Sequence, residues 1–373
     1  MKKIIVAHVP AGAGHQKSAE AIAGAIEKAQ PDVKVTLMDS LEGMTPRYQW
    51  AFTQGYLDII HKHPAVWGGA YHLSDLKGLS KVVAKLHRMS NSSHGQAFEE
   101  IVSDHHPDIF IATHFFPAEV ASYLKMTGRL RGKLITVITD YMPHNLWISP
   151  GTDAYVVGME LTKQELIWRG VPAEKIHVLG IPIDPKFSVK LDRRAFAARL
   201  GLDPSIFTLL IVSGGFGTGP MEQMVQALNS LPPPAVQVLV VCGKNTALKE
   251  KVEAMKPDFP HKLFPFGFVD NMDELMSVSD LMVTKPGGLS CTEAMMKELP
   301  MVLVAPIPGQ EARNAKIIEK FGAAVLAGPV EKALPIIQEL RANPARLKDM
   351  AHRGASAGRP NSAAETARLA LSL

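Results

Sequence analysis

Between Leu281 and Asn314 the chain reads LMVTKPGGLSCTEAMMKELPMVLVAPIPGQEARN, and this spacing constrains the fold more than any other stretch. A short apolar run, Leu281–Thr284, is broken by Pro286-Gly287-Gly288, where glycine supplies the backbone freedom of a tight turn. A helical stretch follows, then a second apolar run at Met301–Ala305. Two buried strands joined by a helix make a parallel β-α-β unit. Ser290 or Thr292 is expected to cap the helix, with Glu293 in its first turn. Pro306–Asn314 is expected to leave the second strand as a loop carrying Gln310, Glu311 and Asn314. In open α/β sheets, ligands bind beyond the carboxyl ends of the strands. The turn, the carboxylate and the Gln-Glu pair therefore suggest a hydroxyl-rich ligand. An ordinary β-α-β unit with solvated loops is the alternative.

The same alternation runs through most of the 373 residues. Strands are expected at 3–9, 33–38, 108–114, 133–139, 154–157 and 176–179. A second set follows at 207–213 and 236–242, besides the two already named. Helices are expected at 17–29, 162–169, 193–200, 221–231, 271–278 and 362–372, the last capped by Asn361. This predicts an α/β fold of two doubly wound parallel sheets in series. The expected boundaries are 1–185 and 186–359, with a C-terminal helix in 360–373. Residues 46–95 break the pattern. They are rich in aromatics, including Trp50 and Trp67, and six basic residues face two acidic ones. They read as a helical insertion.

Composition narrows the function classes. With 46% hydrophobic and 20% charged residues, and a net charge of +4, the chain is globular, and it lacks the strong basicity of a nucleic-acid binder. Its two cysteines, Cys242 and Cys291, lie in or beside apolar runs and read as packing residues, as suits a reducing cytoplasm. No apolar run reaches the ~20 residues of a membrane span. The N-terminal KKIIVAHV reads as a first strand rather than a signal peptide.

Two glycine loops open helices, where backbone N–H groups meet anions. The first, Pro10–His15, contains Gly12 and Gly14. It fails the P-loop pattern at Gln16 and the dinucleotide pattern at Lys17. The second contains Gly214, Gly215, Gly217, Thr218 and Gly219. Four glycines in six residues favour phosphate binding over a plain turn. No Asp-x-Asp is present to hold a metal on a diphosphate, and the histidine pairs 61/63 and 105/106 lack metal-site spacing. No metal or other cofactor is expected.

These segments resemble, in order, the motifs of the family 28 glycosyltransferases. PAGAGHQKSAEAI (10–22), VITDYMPHNLW (137–147), VLGIPIDPKF (178–187), VSGGFGTGP (212–220) and KPGGLSCTEAMMKELPMVLVAPIPGQEARN (285–314) carry the resemblance. It is closest to the branch of monogalactosyldiacylglycerol synthases and processive diacylglycerol glucosyltransferases, with MurG-type enzymes further off. The resemblance implies a GT-B fold with the site in the cleft between two Rossmann-like domains. It implies inverting transfer of glucose or galactose from a UDP-sugar to diacylglycerol. Another lipid-linked acceptor, a UDP-sugar epimerase and a non-catalytic nucleotide-sugar-binding regulator are the alternatives. It further implies that uracil meets the Phe268-Val269 segment, although Phe268 also fits a core position. Gly287, Gly288 and Ser290 belong to the donor motif with Thr292. Glu293 would take the ribose hydroxyls, and Gln310 and Glu311 the sugar, with Lys285 and Asn314 as weaker candidates. Arg313 departs from nothing diagnostic of that motif. Asp140 is expected as the base, with His15 orienting the acceptor; the reverse is open. His144 and Trp147 would shape the acceptor pocket, although a structural histidine is the alternative at 144.

Within the insertion, Lys77, Lys81, Lys85 and Arg88 fall on one face of a helix, opposite Leu79, Val82, Val83, Leu86 and Met89. Such a helix suits an anionic membrane surface, with Trp50 and Trp67 at the interface. An ordinary surface helix with solvated lysines is the alternative.

Overall fold

The computed structural model describes residues 2–10, 13–42, 44–51, 55–75, 96–212, 214–215 and 219–373. Two compact units emerge. One comprises Met1–Asp184, Ile307–Arg313 and Asn361–Leu373; the other comprises Pro185–Pro306 and Asn314–Pro360.

The first unit is built on six parallel strands: β1 (Lys3–His8), β2 (Lys34–Asp39), β3 (Ile109–Ala112), β4 (Lys133–Val137), β5 (Ala154–Val157) and β6 (Ile176–Val178). Their spatial order is β2-β1-β3-β4-β5-β6. The sequence of β1 explains its central place. Ile4 and Val6 pack on one face with Ile22 and Ile26 of the Ala13–Ala29 helix, while Ile5 and Ala7 pack on the other with Phe98 and Phe116. A strand apolar on both faces belongs inside a sheet covered on both sides. The Ser362–Ser372 helix adds Ala367 and Ala370 to the first of these cores. Ser362 Oγ donates to Ile181 O at 3.1 Å.

The second unit repeats the plan with β7 (Thr208–Val212), β8 (Gln237–Val241), β9 (Lys262–Phe266), β10 (Leu281–Thr284), β11 (Met301–Val304) and β12 (Ala324–Gly328). Their order is β12-β11-β10-β7-β8-β9, all parallel. Cys242 and Cys291 are buried packing residues. The doubly wound α/β expectation therefore holds in both halves.

Each sheet reverses its winding direction beside its first strand. The reversal lies between β1 and β3 in one unit and between β7 and β10 in the other. The loops leaving these strands open the crevice where such sheets bind ligands.

Several local expectations are corrected. The helix after β1 starts at Ala13, not Lys17. The helix after β10 starts at Gly288, with Gly287 at the cap position and no side-chain cap. Ser290 and Thr292 are thus inside it, and Thr292 Oγ1 donates back to Gly288 O at 2.7 Å. Glu293 falls in the second turn. Residues after β11 do not stay a loop, because a helix begins at Gln310. Gly309 supplies the turn with φ of +104°, and Glu311 Oε2 accepts from Ile307 N at 2.8 Å, satisfying a donor at the helix start. Asn361 occupies the cap position of the last helix without a side-chain cap bond.

The insertion is helical where described, at Pro46–Trp50, Tyr56–Lys62 and Pro64–Ser74. Lys77, Lys81, Lys85 and Arg88 lie outside the described residues, as do Gly12, Gly217 and Thr218. Among the described residues no helix is long and apolar enough to cross a membrane.

Candidate functional site

In the first unit, three strand ends carry the residues expected to react and their neighbours. His15 stands in the first turn of the helix after β1, Thr113 and His114 follow β3, and Thr139 and Asp140 follow β4. His15 Nδ1 lies 2.8 Å from Thr113 O and 3.1 Å from Thr139 Oγ1. A carbonyl only accepts, so Nδ1 carries the hydrogen and Nε2 keeps its lone pair. Thr113 Oγ1 returns a bond to His15 O at 2.9 Å, so the residue is held at side chain and backbone together. The His114 ring meets His15 edge-on at 4.7 Å between centroids. His114 Nδ1 accepts from Phe116 N at 3.1 Å, so its proton sits on Nε2. Burial lowers the pKa of His15, opposed by the nearby Asp140 charge and the Thr113 carbonyl. Burial, assisted by His15, depresses His114 further. Both imidazoles are thus neutral near pH 7.

Two acceptor candidates are buried. His144 is 2% exposed. Its Nε2 donates to Tyr71 O at 3.0 Å and its Nδ1 accepts from Leu146 N at 3.1 Å. With both nitrogens engaged internally it fits the structural histidine of the alternative reading. Trp147 is also 2% exposed and packs in the core behind His15 and His114. Of the two tryptophans expected at a membrane interface, Trp50 is 57% exposed. Trp67 instead meets Tyr71, four residues on along one face of the Pro64–Ser74 helix, with ring centroids 6.3 Å apart.

In the second unit, glycines govern the strand ends. Gly214 (φ +66°), Gly219 (φ +115°) and Gly243 (φ +60°) take conformations that other residues rarely adopt. A Cβ on Gly243 would stand 2.5 Å from Gly215 O, so the loops after β7 and β8 meet at a place only glycine fits. Lys244 N donates to Gly215 O at 3.1 Å. Lys244 Nζ lies 5.9 Å from the centre of the Phe268 ring. Phe268 is 50% exposed, so the core alternative fails and the ring presents a face beyond β9, with Val269 half-buried beside it.

The Gly287-Gly288 turn points the start of its helix beyond β10, placing Glu293 half-buried one turn in. Asn314 is 1% exposed and its Nδ2 approaches Pro286 O at 3.4 Å, so it braces the turn. Ala305, just after β11, has φ of +44°, a conformation costing about 1–3 kcal/mol in a non-glycine residue. Such strain gathers where a loop must be aimed. Gln310 is half-buried and Glu311 is half-buried with one carboxylate oxygen serving Ile307 N.

Thr113 and Lys244 escaped the sequence reading. A signal for Lys244 existed, since Gly243-Lys244 follows a buried strand just as Gly214-Gly215 does. Thr113 acts through its carbonyl, which no side-chain pattern reveals. Among the described residues no group of three or more His, Cys, Asp or Glu could hold a metal ion.

Comparison with known proteins agrees with this plan. The family described as monogalactosyldiacylglycerol (MGDG) synthase matches residues 15–183, and the glycosyltransferase family 28 C-terminal domain matches residues 208–365. A processive diacylglycerol beta-glucosyltransferase of Bacillus pumilus is 35% identical over 254 residues, covering 68% of this chain and 65% of the relative. The chain thus spans about two thirds of that relative's length. Among solved structures, Acinetobacter baumannii MurG superposes with a TM-score of 0.63 at 15% identity, covering both chains fully. A UDP-GlcNAc 2-epimerase from Neisseria meningitidis bound to UDP-GlcNAc gives 0.62 at 12% identity, again over both chains. At such identity these structures speak for the fold alone, which is GT-B. With the two family domains in tandem along it, the chain belongs to the family 28 glycosyltransferases, in the branch of the MGDG synthases and processive diacylglycerol glucosyltransferases.

Proposed function

We propose that the protein is a glycosyltransferase that moves a hexose from a UDP-sugar to the hydroxyl of diacylglycerol, with inversion and without a metal. The observation that carries the reading is the His15 imidazole, neutral by burial and held through Nδ1 by Thr113 O, so that Nε2 can take a proton. An acceptor hydroxyl must lose its proton as the glycosidic bond forms, and a neutral imidazole with a fixed tautomer suits that step. The proton would pass from the hydroxyl to His15 Nε2 while the nearby Asp140 charge stabilises the imidazolium. This exchanges the roles expected from sequence, where Asp140 was the base.

The donor side is supported by the ends of β7, β8, β10 and β11. The glycine loop after β7 and the helix start at Gly288 offer backbone N–H groups to the diphosphate, and Lys244 adds a cation beside them. Phe268 offers a ring face to uracil. Glu293 suits the paired ribose hydroxyls, and Gln310 suits the sugar better than Glu311, whose carboxylate already serves the loop.

Glucose is the preferred sugar, on the names of the relatives, and a β-linked product from an α-linked UDP-sugar requires inversion. The lipid acceptor rests on the same names and on the aromatic, basic insertion. We place the Lys77–Met89 stretch and Trp50 at an anionic membrane surface. The reading is tested by whether purified protein makes hexosyl-diacylglycerol.

A further inference from the structure

We infer that Arg313, fixed by Asp75, is a positioning residue for the donor sugar. The inference rests on the assignment of sugar recognition to Gln310 above and names what holds that residue in place.

Residues 307–313 pack within the first unit, and their fit to the Pro64–Ser74 helix admits only glycine at two points. A Cβ on Gly68 would stand 2.8 Å from Pro308 Cβ, and one on Gly309 would stand 2.8 Å from the Tyr71 ring. Arg313 then closes the segment. Its Nη1 donates to Asp75 Oδ2 at 2.6 Å, and its guanidinium lies 5.0 Å from the centre of the Tyr71 ring. Asp75 is suited to hold it. The carboxylate also accepts from Arg169 at 2.6 and 3.2 Å and from Asn145 N at 2.9 Å. Burial would raise its pKa, but the bonds from Arg169, Asn145 N and Arg313 outweigh that and hold it at about 2. The carboxylate is therefore charged near neutral pH.

The backbone carries this anchoring to Gln310. Arg313 N donates to Gly309 O, and Ala312 N to Ile307 O, closing the turn that contains Gln310. Releasing Arg313 frees the first turn of that helix, while Glu293 lies on the separate Gly288–Met296 helix. Loss should fall on the sugar and spare the nucleotide.

The test is titration calorimetry of the full chain with UDP and with UDP-glucose. Arg313→Ala should weaken UDP-glucose about tenfold, the scale of one charge-assisted hydrogen bond, with UDP affinity within about twofold of wild type. Arg313→Lys should fall between, since lysine keeps the charge without the fork. Arg313→Met keeps the packing on Tyr71 without the ion pair, and should show the same selective loss; it serves if Arg313→Ala folds poorly. An equal loss for both ligands, or none for either, overturns the inference while leaving the donor reading intact. If wild type binds UDP but gains nothing from the glucose, sugar recognition by Gln310 fails, and this inference with it.

Discussion

The Nδ1 nitrogen of His15 lies 2.8 Å from the carbonyl oxygen of Thr113, a residue 98 positions away in sequence. The bond spans the crevice between β1 and β3, where the first sheet reverses its order. One hydrogen bond thus fixes both the position of the imidazole and its tautomer.

The first prediction concerns this pair. His15→Ala should lower kcat by about 10² to 10⁴, as general-base loss does, with UDP affinity unchanged. Asp140→Asn should cost less, because it removes the stabilising charge and leaves the base. Steady-state kinetics of the two variants decide it. A dead Asp140→Asn beside a near-normal His15→Ala would restore Asp140 as the base.

Acid should unfold the protein through its buried histidines. Burial lowers the pKa of His8, His15, His114, His144, His177 and His261. Their folded values lie below the unfolded 6.5, so the unfolded state binds more protons as pH falls through that value. Stability should hold level above about pH 7 and fall steadily below about pH 6.5. The Asp75 contribution should be lost only later, between its unfolded value near 3.8 and its folded value of about 2. Thermal melts from pH 8 to pH 5 should show Tm dropping by several degrees; a flat profile would mean that these imidazoles are not buried neutral.

Much of this was legible in the sequence, for physical reasons. Runs such as Leu281–Thr284 and Ala154–Val157 are apolar on both faces, which only a covered parallel strand satisfies, and both were placed to the residue. The helix start at Gln310 was missed because its signal is a backbone one, the positive φ of Gly309, followed by a carboxylate that folds back on Ile307 N. The His15–Thr113 bond was beyond reach because it depends on β1 and β3 being neighbours, which strand order alone creates. His144 entered as an acceptor candidate because it lies in the same motif as Asp140, yet its partner, Tyr71 O, comes from the distant insertion.

The donor assignment separates nucleotide from sugar. Glu293→Ala should weaken UDP itself by about 1.5–3 kcal/mol, the worth of a charged hydrogen bond. Gln310→Ala should weaken the UDP-sugar more than UDP. Calorimetry returning wild-type UDP affinity for Glu293→Ala would remove the ribose from Glu293.

Membrane contact is assigned to the basic stretch. Each basic residue near an anionic surface contributes about 1 kcal/mol, so reversing Lys77, Lys81 and Lys85 to Glu should abolish sedimentation with anionic vesicles while leaving UDP binding intact. Sedimentation equal to wild type, insensitive to salt, would place the contact elsewhere.

The most direct test of the central claim is mass spectrometry of lipids after the purified protein meets diacylglycerol vesicles with UDP-glucose or UDP-galactose, in excess EDTA. The account predicts a hexosyl-diacylglycerol with the β-anomeric configuration, formed at a rate the chelator does not change. Formation only when Mg²⁺ or Mn²⁺ is restored would contradict the metal-free diphosphate site. No glycolipid under any condition, with the UDP-sugar recovered intact or epimerised, would contradict the transferase reading itself.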